Sequence, residues 1–169
     1  MHTFRDNKGR KWSIKLNYRT AKMVTEELDI NLFALDYGEP SLFTRLFTDG
    51  VLMIELLYTV CHDEIQFREK DMDVFKFATA MESQPTESSK DHVDYLGIAR
   101  MAFLDTLSDF FRRLGSLGQA VLIDVQSSQM RAVIAELVQA GEPQDDVSIA
   151  SVDSPESPES TPETIPGES

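Results

Sequence analysis

The densest run of chemically capable side chains is Cys61-His62-Asp63-Glu64, followed closely by Asp71 and Asp73. A thiol, an imidazole and carboxylates are the donor types of a metal site, but the spacing matches no standard ligand pattern. The same residues offer a Cys–His nucleophile pair. Neighbours on a helix point about a quarter-turn apart, which is poor geometry for that pair. Cys61 therefore reads as a small buried apolar residue, and the acids read as a solvated loop or a helix start. Asp91-His92 and Asp94 place a potential base among acids, yet acids collect at helix starts to cap them, which accounts for the cluster. Gly115 and Gly118 are isolated breakers, not a phosphate-cradling loop, and there is no nucleophile elbow. The expectation is a non-enzymatic chain with no metal and no cofactor.

Composition narrows the alternatives. The 169 residues are 41% hydrophobic, enough for one core and not two. The lone cysteine excludes an internal disulfide and fits a reducing cytosol. The opening residues contain no apolar leader, and Val51–Cys61, interrupted by Glu55, is too short to span a bilayer, so no membrane role is expected. Formal charge is −13, and residues 142–169 supply eight acids and no Lys, Arg or His. That balance argues against nucleic acid, whose binding rests on phosphate neutralisation by Lys and Arg.

The elements that would carry these residues begin with a hairpin. Two short runs flank Asn7-Lys8-Gly9, with glycine where a turn needs positive φ. Trp12, Ile14 and Leu16 alternate with Lys11, Ser13 and Lys15, so one face is apolar. A lone hairpin is marginal in water, so that face must dock on a helical body. Asn17 can cap a helix over residues 18–28 carrying Ala21, Val24 and Leu28. Residues 29–35 form a short turn, and 36–40 form a loop. Ser41 and Asp49 can cap two further helices, the second presenting Leu52, Leu56, Leu57 and Val60. Residues 62–70 read as a loop. Asp71 then starts a helix with Val74, Phe75, Phe77, Ala78 and Met81 on its apolar side.

A polar linker over 83–90 leads to a long helix over 91–114, striped by Val93, Leu96, Phe103, Leu107, Phe110 and Leu114. Arg112, Arg113 and Gly115 are a helix stop. A last helix spans 117–139, with Ile123, Met130, Ile134 and Leu137 in line and Val121, Val125, Val133 and Val138 widening the stripe. The fold class is α+β and mainly α: an N-terminal β-hairpin on five or six helices, forming one domain over 1–141. Residues 142–169 repeat Ser, Pro and Glu with few apolar side chains, the composition of a disordered tail. That tail reads best as a solubilising appendage. Competition for a basic site and mimicry of DNA are the weaker alternatives.

The last two helices are apolar around much of their circumference, which fits either a central position or a covered partner. Met101, Leu104, Phe111, Val121, Val125 and Met130 are the candidate partner-binding residues, for a client or for a second copy of the chain.

The opening Thr3-Phe4-x-Asp6-x-x-Gly9-Arg10-x-Trp12-x-Ile14 resembles the start of small tail assembly proteins of long-tailed bacteriophages. Residues 28–36 with the helix over 46–61 behind them, and Phe103-Leu104 through Leu107-x-Asp109-Phe110-Phe111-Arg112, are similar in the same order. The resemblance covers about residues 2–113. It implies a tail assembly chaperone that coats the helical tape-measure protein in the host cytoplasm until tail-tube subunits replace it, and that is absent from the mature virion. In many such systems a translational frameshift adds a second domain to some copies. The alternative is a structural virion component, a head–tail or tail-terminator ring protein.

Overall fold

A buried carboxylate organises the start of the chain. In the computed structural model, which describes residues 2–82 and 93–140, strands β1 (Thr3–Arg5) and β2 (Lys11–Ser13) pair antiparallel with Phe4 opposite Trp12. Asp6 is fully buried beside them. Its side chain accepts from the backbone N–H of Lys8 and Arg10 at 3.0 and 2.9 Å, from Arg10 Nε at 2.7 Å and from Trp12 Nε1 at 3.0 Å. A buried charge is tolerable only when paired and hydrogen-bonded in this way. Gly9 takes the positive φ of 75° that closes the turn. The Asp6, Gly9, Arg10 and Trp12 of the opening motif are thus the parts of one self-contained staple.

The turn also reaches outward. Asn7 donates from its backbone to Ala80 O at 2.9 Å and from its side chain to Thr79 O and Glu82 O, so it satisfies the carbonyl end of α4 (Val74–Met81). Trp12 meets Phe77 of the same helix edge-on, with centroids 5.9 Å apart.

Local capping chemistry sets the remaining elements. Asn17 and Thr20 form a reciprocal capping box at the start of α1 (Tyr18–Leu28). Ser41 caps α2 (Leu42–Thr48). Asp49 ends α2 through its own N–H to Arg45 O and begins α3 (Gly50–Arg68) by accepting from Leu52 N–H. Caps of this kind contribute about 1 kcal/mol each. Between α1 and α2, Ile30, Leu32 and Leu35 insert into the core although their segment is irregular.

α3 is the hub. It packs on α1, α2, α4, β2 and α5 (Tyr95–Arg113), and it buries Leu52, Met53, Leu56, Leu57, Val60, Cys61 and Ile65. The chain turns at the end of α5 through a full Schellman arrangement. Gly115 N–H donates to Arg112 O at 3.1 Å and Ser116 N–H to Phe111 O at 2.9 Å, with Gly115 at φ 77°. α6 (Leu117–Ala140) then returns along α5.

Three expectations need correction. Residues 62–68 are not a loop, because α3 continues to Arg68: Ile65 stays on its inward side, and Glu64 pairs with Arg68 one turn on at 2.9 Å. The cap of α4 is Asp73 rather than Asp71, accepting from Lys76 N–H at 2.8 Å. Phe75 points to solvent while Phe77 and Met81 fill the core, since two residues at about 100° each turn Phe75 to the side opposite Phe77. The linker over 83–90, His92 and the tail over 142–169 lie outside the described residues, as do the side chains of Ile134, Leu137 and Val138.

Candidate protein-binding surface

Among the described residues, Cys61, His62, Glu64, Asp73 and Asp94 have structural occupations. Cys61 is buried, with its thiol 3.7 Å from Ser13 O as donor. Burial first, and the Glu64 carboxylate second, push that thiol's pKa up, which holds it protonated and unreactive. Glu64 accepts from Ser13 N–H at 2.8 Å and so fastens β2 to α3. His62 sits edge-on to Tyr58. Asp73 and Asp94 are helix caps. Among the described residues no three His, Cys, Asp or Glu side chains are grouped to hold a metal, and no helix is long and apolar enough to cross a membrane.

An exposed apolar surface lies on α6. The helix meets α5 through Ala120, Ile123 and Ser127, which are buried, and through a polar seam. Ser108 Oγ donates to Asp124 Oδ1 at 2.6 Å, Arg112 reaches both Asp109 and Asp124, and Arg131 pairs with Asp105 at 2.6 Å. His2, ahead of β1, joins this seam at 3.0 Å from Asp109. Hydrogen bonding from His2, and after it His2's charge and Arg112, hold the Asp109 carboxyl below its ordinary value against partial desolvation. The seam fixes the register of α6 on α5. Gln119 adds a hydrogen bond to Phe33 O.

With its inner face so committed, α6 turns a second apolar ladder outward. Leu117, Val121 and Val125 follow one another at i, i+4, i+8 and are 63%, 58% and 50% exposed. Ser128 and Ala132 extend the same face, and Leu114 leads into it from the corner. From Leu117 to Ala132 this stripe is about 22 Å long at 1.5 Å per residue. Phe67 and Phe75 are more exposed singly, but neither belongs to such a ladder.

The six partner-binding candidates therefore divide. Val121 and Val125 stand on the outward face. Met101 and Met130 are half-buried at the flank of the α5–α6 pair. Leu104 and Phe111 are fully buried and belong to the core, which corrects their assignment to a partner surface: side chains with no accessible area cannot meet another molecule without unfolding this one. Leu114 and Leu117 are the surface residues that sequence reasoning missed. The i+4 ladder from 117 to 125 was the available signal, overshadowed by the larger residues of α5.

No family model matches the sequence, and no curated protein and no solved structure matches it either. The geometry of α6 thus carries the functional reading alongside the sequence resemblance.

Proposed function

We propose that this chain is a non-enzymatic phage tail assembly chaperone that binds the tape-measure protein and keeps it soluble in the host cytoplasm before the tail tube polymerises. The observation that carries the reading is the solvent-facing Leu117–Val121–Val125 ladder on a helix whose other side is fastened to α5. A long amphipathic client helix presents apolar residues at the same i, i+4 spacing, so the two stripes can interdigitate as ridges in grooves. Displacement by tail-tube subunits requires a shallow contact that excludes water without a deep anchor, and an open stripe of branched aliphatics meets that requirement.

Co-expression tests this. The chain is produced with the longest helical open reading frame downstream in its own genome, and the client's soluble fraction is scored. The client should be soluble and co-purify only when the chain is present. The triple variant Leu117→Ser, Val121→Ser, Val125→Ser should abolish that while leaving the fold intact. A client indifferent to the chain, with the chain itself running as a defined ring, would replace this reading with the virion ring protein.

A further inference from the structure

The hairpin carries an unresolved electrostatic problem. Arg5 and Lys11 are cross-strand partners, both exposed on the outer face, and like charges directly opposite one another destabilise a strand pair. Among the described residues neither they nor Lys8 and Lys15 have a carboxylate within 4 Å. Residues 1–24 hold seven Lys or Arg, and the one acid there, Asp6, is consumed inside the staple. In a chain of net charge −13 this is a strong local inversion.

The topology brings the last turn of α6, from which the acidic segment continues, to the same end of α5. His2 lies against Asp105 and Asp109 of α5, while Thr3, Phe4, Arg5 and Lys11 line a groove with Tyr95 and Ile98, so β1 runs toward the N-terminal turn of α5. α6 runs the same way. Arg112 pairs with Asp124 and Arg131 with Asp105, a register that sets the end of α6 level with that same turn. Asp105 is shared by His2 and Arg131, so β1 and α6 follow α5 side by side. The groove of about 470 Å³ bounded by Arg5, Lys11, Tyr95 and Ile98 therefore lies level, along α5, with the last described turn of α6. Glu142, Asp145 and Asp146 follow within six residues, a reach of about 20 Å when extended. Val147 and Ile149 come next, and Ile98 is an exposed apolar floor for them.

We propose that the acidic segment 142–149 occupies this groove in its own chain, with its carboxylates on Arg5 and Lys11 and its apolar residues on Tyr95 and Ile98. The tail then does more than repel other molecules. It neutralises this basic face and withholds it from anionic ligands, and an acidic partner would have to displace it. This holds whether or not α6 binds a tape-measure protein.

The full chain bearing Ser148→Cys, isotopically labelled and spin-labelled at that position, tests the contact by NMR; buried Cys61 should take no label, which the unsubstituted chain controls. At about 0.02 M salt the amide signals of Arg5, Lys11 and Ile98 should lose at least half their intensity relative to the 36–39 loop. At about 0.5 M salt, where screening is severe, the loss should vanish. Arg5→Gln with Lys11→Gln should remove it at low salt. Reversing Arg5 and Lys11 to Glu should also remove it, and adding Glu142→Lys, Asp145→Lys and Asp146→Lys should restore it. Uniform broadening, none at all, or indifference to both the Gln pair and salt would overturn the proposal. Broadening seen only between separately labelled chains would overturn the intramolecular contact in favour of a second copy's tail.

Discussion

α3 and α6 are both long helices with apolar side chains distributed around their axes, and they have opposite fates. α3 has neighbours around most of its axis: α1 and α2, then α4, α5 and β2 close over Leu52, Leu56, Leu57, Val60 and Ile65. α6 has α5 as its main support, and its Leu117, Val121 and Val125 remain in water. The same composition serves as the hub of a core in one helix and as an uncovered face in the other. The difference lies in topology: described elements before and after α3 surround it, whereas α6 is the last of the described elements.

The contrast is sharpest in the cost of truncation. Leu57→Ala on α3 should lower unfolding free energy by about 2–5 kcal/mol, because a fully buried leucine leaves both lost transfer energy and a cavity. Urea denaturation of wild type and variant measures this, and a loss below about 1 kcal/mol would mean that the hub can collapse around the gap. Phe111→Ala should fall in a range of about 3–5 kcal/mol. That result would fix Phe111 in the core, whereas a small loss with lost client binding would return it to the surface.

Gly115 controls how firmly α6 is held. At φ 77° it completes the Schellman turn, and a Cβ there would strain the backbone even though nothing crowds the position. Gly115→Ala should cost about 1–2 kcal/mol by the left-handed penalty. Hydrogen exchange should show the loss concentrated in α6 if that helix opens alone, and spread over α3 if the molecule unfolds as one unit.

How far this was readable beforehand depends on the range of the interactions. The hairpin, the glycine turn, the caps at Asn17, Ser41 and Asp49 and the stop at Arg112-Arg113-Gly115 were legible because each is settled within a few residues. The continuation of α3 past His62 was not. Asp63, Gln66 and Phe67 face out, and the contacts that hold that stretch, from Cys61, Glu64, Ile65 and Arg68, include ones to residues distant in sequence. The binding surface was legible in part. Val121 and Leu104 are equally plausible on a helical wheel, and what separates them is which face the rest of the fold covers.

A weaker effect reports on the seam beneath α6. The Asp109 carboxyl is held below its ordinary 3.8 by His2 first and Arg112 after it. A depressed folded pKa stabilises above the unfolded value, and that contribution disappears as pH falls through the folded one. The stability difference between wild type and Asp109→Asn should thus be present at neutral pH, shrink below about pH 4 and vanish at more acid values. Asp109 is well exposed, so the amplitude should be small and reduced by salt. A difference independent of pH would detach Asp109 from the seam's electrostatics.

The smallest expected change in stability belongs to the residues with the largest expected role. Val121→Ser and Val125→Ser remove side chains that are already half or more in water, so each should shift unfolding free energy by no more than about 0.5 kcal/mol. Thermal melts and client co-purification, run on the same samples, separate the two quantities. If the melts are unchanged and the client is lost, the outward ladder is there for a partner, since it contributes nothing measurable to its own fold. If the melts fall by several degrees, these valines are covered in the native molecule, α6 resembles α3 after all, and a second copy of the chain becomes the first candidate for what covers it.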